Sequence, residues 1–175
     1  MVEQALRVLI AVTLLNFVHG RTAAVQENNA PSQVQATARE VNAVIRQMLA
    51  DRIPAKDIPD YGLLRGAKRI AVRSDLVGFH LGQDALPVLE GYELRLISTA
   101  DAQAEADRTQ VLVHFLAIDN LQIAGDTAGL WIGVDFTMPS DHKGVKMCCC
   151  SRSLEYRRVD DRWVFVRWRL EGRCV

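Results

Sequence analysis

VKMCCCSRSLEYRRVDDRWVFVRWRLEGRC, residues 145–174, is the stretch whose reading decides the fold. It reads as two strands joined at Asp160-Asp161, because side chains alternate between faces along a strand. In the last strand Val164, Val166, Trp168 and Leu170 fall on one face; in the preceding strand Cys148, Cys150, Leu154 and Tyr156 share a face. A register with Val166 opposite Tyr156 and Trp168 opposite Leu154 keeps both apolar sets together. A slip of one residue would set Val166 against Glu155 and Trp168 against Ser153, which burial forbids. The same register sets Arg167 against Glu155 on the outer face, a favourable cross-strand pair. Carried to its end, it brings Cys174 to Cys148, with Cys150 one step away on the same face.

Working back from this hairpin, Ala128–Met138 alternates as a third strand, with Leu130, Ile132, Val134 and Phe136 on one face, after a Gly125-Asp126 turn. Gln110–Ile118 and Leu121–Ile123 read as strand segments, Tyr92–Ile97 as a strand with Tyr92, Leu94 and Leu96 inward, and Lys68–Arg73 as a short strand. Ser98-x-x-Asp101 caps a short helix through Arg108. Ser32-x-x-Gln35 is a capping-box pattern opening a helix to Arg52, with Val34, Ala38, Val41, Ile45 and Met48 at helical spacing. Residues 74–91, broken by Gly78, Gly82, Pro87 and Gly91, form an irregular rim or lid. The expected fold is α+β: a long N-terminal helix packed on a curved antiparallel sheet of about five to six strands.

The chain has 175 residues with Lys+Arg and Asp+Glu equal at 21. That length makes one domain, residues 32–175, and the balance leaves no global field to attract nucleic acid. Residues 1–24 read as a signal peptide: Arg7 precedes the apolar run Val8–Val18, which is short for a bilayer span, and small residues follow. Residues 25–31, VQENNAP, form a linker. Export leaves no integral membrane span after cleavage and places the protein in a secreted or periplasmic compartment. The four cysteines, all near the C-terminus, fit that oxidising setting. A disulfide from Cys174 to Cys148, or alternatively to Cys150, staples the last strand. Cys149, on the other face, is expected as a free thiol. Adjacent cysteines on a strand point apart, so no metal site is assigned, and no cofactor.

Two stretches carry a resemblance. Ile123-Ala-Gly-Asp-Thr-Ala128 leads into an alternating strand, and Leu154-Glu-Tyr-Arg-Arg-x-Asp-Asp-Arg-Trp163-Val-Phe-Val-x-Trp168 closes the chain. Their pattern resembles the cystatin-like superfamily, in particular domains related to nuclear transport factor 2 and the SnoaL-like proteins. The resemblance covers roughly residues 33–171 in element order. One clear N-terminal helix stands where that family usually has two or three. The resemblance implies a ligand- or protein-binding scaffold rather than a defined reaction.

No phosphate loop, HExxH or Gly-x-Ser-x-Gly pattern is present in the sequence. The leading expectation is an exported, non-catalytic binding domain. It would hold a small apolar ligand between helix and sheet, or a protein partner, a second copy of the chain included. The partner would meet Trp131, Trp163, Phe165 and Arg167, since Trp and Arg dominate interface hot spots. The alternative is a SnoaL-like enzyme moving a proton on a small molecule, as an isomerase or dehydratase, with His114 as base and Asp135 as its orienting partner. Export is checked by intact mass: protein recovered from the exported fraction should lack a leader ending near Gly20 or Ala24, and a full-length mass would refute it.

Overall fold

A computed structural model describes residues 36–64, 66–144 and 149–174. The expected leader, linker and helix start at Ser32 lie outside the described residues, as does Cys148. The first described helix, α1 (Ala38–Ala55), is capped by Thr37. The Glu40 N–H donates to Thr37 Oγ1 at 3.3 Å while the Glu40 carboxylate accepts from the Thr37 N–H at 3.0 Å, a reciprocal capping box. The helix does not stop at Arg52 as expected. It runs through Pro54, whose missing N–H removes only a single bond in the last turn. Lys56, in the left-handed region at φ 54°, then closes it by donating its N–H to the Arg52 carbonyl. Val41, Val44, Ile45, Met48, Leu49 and Ile53 form its buried stripe.

The strands are β1 (Arg69–Arg73), β2 (Asp75–Leu76), β3 (Phe79–His80), β4 (Glu93–Ile97), β5 (Val113–Ala124), β6 (Thr127–Thr137), β7 (Cys150–Val159) and β8 (Arg162–Cys174), with helix α2 (Thr99–Thr109) between β4 and β5. Six of them form one sheet in the order β4-β1-β5-β6-β7-β8, and β2 pairs with β3 alone. From β5 onward the sheet is the expected antiparallel meander. At the other end β1 runs parallel to both β4 and β5, so the sheet is mixed rather than wholly antiparallel. Parallel neighbours need a crossover, and α2 supplies it by returning the chain from β4 over β1 to β5. Its start is fixed twice: Ser98 Oγ accepts from the Asp101 N–H at 3.0 Å, and the Asp75 carboxylate from the Thr99 N–H at 3.0 Å.

The two helices cover opposite faces. The α1 stripe packs with Ile70, Val72, Leu116, Ile118, Leu130, Ile132, Leu154 and Tyr156 in the main core. Ala102 and Ala106 of α2 pack with Ala71, Ile97, Val113, Phe115 and Ala117 in a smaller one. Within residues 74–91 the middle is held against α1: Asn42 donates to the Asp84 carboxylate at 2.6 Å, Arg46 donates to the Asp84 carbonyl, and Leu81 and Ala85 are buried, while Val77 and Val88 on either side are exposed. No described helix is long and apolar enough to cross a membrane.

The terminal hairpin has the expected pairs Leu154↔Trp168 and Glu155↔Arg167, but its register changes on either side of them. Toward the turn, Val166 is an extra residue and Tyr156 pairs with Phe165 rather than Val166. Trp163 is then only 5% exposed and Phe165 packs on the core, whereas Val164 and Val166 are 48% and 44% exposed. The inward face expected for those two valines is thus corrected. Toward the chain end, residues 169–171 of β8 face Ser153 alone, and the two-residue gain carries Cys174 past Cys148 to Cys150. The bridge joins Cys150 and Cys174, not Cys148 and Cys174. Bulges of this kind change which residues oppose each other without unpairing the strands.

Polar contacts tie α1 to this hairpin at both ends. Arg158 and Glu40 form a 3.0 Å ion pair near the helix start. Near its end the buried Tyr156 hydroxyl donates to Asp51 at 2.9 Å, and the Trp168 indole N–H donates to Asp57 at 3.3 Å. Burial, followed by the charge of Asp51, pushes the Tyr156 phenol far above its ordinary value. A raised pKa contributes stability that is fully present below the unfolded-state value and is lost as pH rises toward the folded one. Tyr156→Phe should therefore lower the unfolding free energy in urea by about 1 kcal/mol at neutral pH. It should also make the loss of stability above about pH 10 shallower than in the wild type; an unchanged alkaline slope would count against this account.

Candidate functional site

The sheet face turned away from α1 carries the most distinctive described surface. Alternation in β6 sends Ala128, Leu130, Ile132 and Val134 into the core, and Gly129, Trp131 and Gly133 to the other side. Trp131 therefore stands between two glycines on its own strand, opposite Ser153 of β7 and Asp119 of β5. Gly133 is required by the approach of β7: a Cβ there would lie 2.4 Å from the Cys150 carbonyl oxygen. At Gly129 a Cβ would make only ordinary contact with the Arg169 guanidinium, 3.8 Å away.

The result is a shallow groove of about 380 Å³ lined by Asn120, Gln122, Trp131, Ser153, Glu155 and Arg169, among others. One wall is electrostatically ordered. Glu155 accepts from Arg167 at 3.1 Å and from Arg169 at 3.3 Å. The Arg167 hydrogen bond, with Arg169 adding to it, holds the Glu155 carboxyl below its ordinary range. The groove thus offers an indole, neutral amides and a carboxylate flanked by two guanidiniums. That set can make directional hydrogen bonds and bury one aromatic side chain.

The four residues expected to form a binding face are divided by the sheet. Trp131 and Arg167 lie on the outer side. Trp163 and Phe165 lie against the main core, with the Arg158 guanidinium 4.7 Å from the Trp163 ring centroid and that of Arg52 4.0 Å from Phe165. Their exposed-face assignment is corrected, since the bulge at Val166 turns the hairpin tip by one position. Sequence reasoning missed Glu155 and Arg169 as lining residues. The two glycines flanking Trp131 were the available signal, because an aromatic between i±2 glycines on one face stands clear of neighbours.

The proposed acid–base pair is also separated. His114 is cross-strand from Phe136, with ring centroids 5.7 Å apart, whereas Asp135 is cross-strand from Phe115. Residues 114 and 115 point to opposite faces, and Phe115 belongs to the α2 core. His114 therefore faces the α1 side and Asp135 the α2 side. Burial lowers the His114 pKa, keeping the imidazole neutral over a wider range. The Asp135 carboxylate accepts from the Phe136 N–H at 2.7 Å. The sheet itself stands between base and partner, so the proton-transfer arrangement is not assembled.

The space reserved for an apolar ligand between helix and sheet is filled by side chains: Ile45, Met48, Leu49, Leu116, Ile132 and Tyr156 are fully buried there. Cys149 is disulfide-bonded and not the free thiol expected. A second cleft, of about 680 Å³, opens beyond the C-terminal end of α1 around Tyr61 and Tyr92. No protein-family model, curated protein or solved structure matches the chain.

Titration checks the ordered wall of the groove. By NMR the Glu155 carboxyl should titrate below the ordinary glutamate value, and Arg167→Ala should move it back up. An unmoved value in that variant would show that the guanidinium does not act on it.

Proposed function

We propose that this chain is an exported, non-catalytic binding domain, of the cystatin-like kind that its sequence resembles, and that it engages a protein through the Trp131 face of the sheet. The observation that carries the reading is the groove itself, with Trp131 between two glycines and Glu155 held by Arg167 and Arg169. Trp and Arg supply most of the energy in protein interfaces, and a fixed charged pair loses little freedom when a partner docks. The Cys150–Cys174 bridge supports an oxidising destination. The filled helix–sheet interface directs binding to the surface, and the separation of His114 from Asp135 removes the support for a SnoaL-like proton transfer.

A second copy of the chain is the first partner to consider. The face carries both signs, as a self-complementary two-fold contact requires. Sedimentation velocity on the exported protein should show a concentration-dependent dimer that Trp131→Ala shifts to monomer. Photo-crosslinking from position 131 within the exported fraction identifies a different partner if there is one. A monomer at high micromolar concentration that also crosslinks to nothing would sink the reading.

A further inference from the structure

The cleft beyond α1 has a different chemistry from the groove on the sheet. Three turns meet there: the left-handed cap of α1 at Lys56, the 3-10 turn Tyr61–Leu64, and the Leu89–Tyr92 turn that leads into β4. They border an open cleft of about 680 Å³, a volume comparable to that of small-molecule sites. Its described lining contains two ammonium groups, Lys56 and Lys68, and no carboxylate. Carboxylates stand next to the lining in the chain, at Asp57, Asp60, Glu90 and Glu93, but none is part of the described lining itself.

The remaining lining supplies the other half of a binding site. Leu64, buried at 5% exposure, belongs to the main core and gives the cleft an apolar floor. Tyr61 and Tyr92 are both partly buried against that core, and the Tyr92 phenol lies close enough to act on that of Tyr61. Burial, with the Tyr92 phenol adding to it, pushes the Tyr61 phenol up to about 12, so it remains a donor across the physiological range. Gly62, Gly66 and Gly91 line the opening, and a Cβ at any of them would meet nothing within 4 Å. The walls there are bare backbone facing open space, and Gly66 and Gly91, at φ 80°, are held in a conformation that side chains disfavour.

We propose that this cleft binds a small aromatic carboxylate, its ring against Leu64 and the two tyrosines and its carboxylate between Lys56 and Lys68. The ring gains apolar burial and stacking on phenol faces, and the charge gains two cations that have no acidic competitor among the described lining residues. The site is independent of the Trp131 face, which lies on the outer surface of the sheet, so either assignment can fail without the other.

The test uses 2-naphthoate as probe, with 2-naphthamide and inorganic phosphate as comparisons, on the full exported chain. Calorimetry should show saturable naphthoate binding, weakened about tenfold or more by Lys56→Met with Lys68→Met. NMR shifts should centre on Tyr61, Gly62, Gly91 and Tyr92, and Tyr61→Phe should weaken binding less than the lysine pair does. Naphthamide binding as tightly as naphthoate would remove the charge from the argument. Phosphate binding as tightly would remove the ring. Shifts centred on Trp131, or no binding at millimolar probe, would overturn the assignment. Unchanged urea unfolding in the lysine variants separates lost binding from lost fold.

Discussion

The hydrogen bond from Tyr156 to Asp51 is the contact on which the arrangement of this molecule turns. It joins the last turns of α1 to the middle of the terminal hairpin, in the main core, and it is made between residues 105 positions apart. An unpaired phenol at that depth would leave a buried donor unsatisfied, at a cost comparable to a sizeable part of a small domain's stability. The bond therefore sets where α1 lies along β7. Glu40 with Arg158, and Asp57 with Trp168, then fix the two ends of the helix against the same hairpin. The filled helix–sheet interface follows from this seating.

The surface chemistry follows from how β8 meets β7. Because β7 is held by its central pairs with β6 and by Tyr156, mismatch in the hairpin is absorbed by β8, which takes an extra residue at Val166 and two more before Gly172. The first shift turns Trp163 and Phe165 inward and leaves Val164 and Val166 outside. The second brings Cys174 to Cys150, where the disulfide closes the end of the sheet. What stays on the outer face is Trp131 with Glu155, Arg167 and Arg169, a narrower and more polar site than four consecutive aromatic and basic positions would have made.

The crossover through α2 has a comparable effect on chemistry. By making β1 parallel to its neighbours and covering the second face of the sheet, it gives β5 two buried sides, and Val113, Phe115 and Ala117 pack there while Leu116 and Ile118 pack under α1. His114 and Asp135 each look unusual in an apolar strand, yet they serve opposite layers. A sheet buried on both faces can carry a polar residue toward either, which is why composition alone suggested a pair that the layering divides.

Sequence alone determined the local grammar: the apolar stripe of α1, the Ser98 cap of α2, the alternation of β6, the turn at Asp160-Asp161 and the central register Leu154↔Trp168 with Glu155↔Arg167. These are legible because helix and strand periods, caps and cross-strand charges act over a few residues. Only the tertiary structure decided the rest. The parallel direction of β1 and β4, the bulges in β8 and the choice of Cys150 over Cys148 depend on how distant segments fill one core, and no alternation pattern encodes them. The same holds for the cleft around Tyr61 and Tyr92, thirty-one positions apart, which exists because the end of α1 and the entry to β4 arrive at one corner. Periodicity reports which face a residue takes; packing between remote elements decides what that face meets.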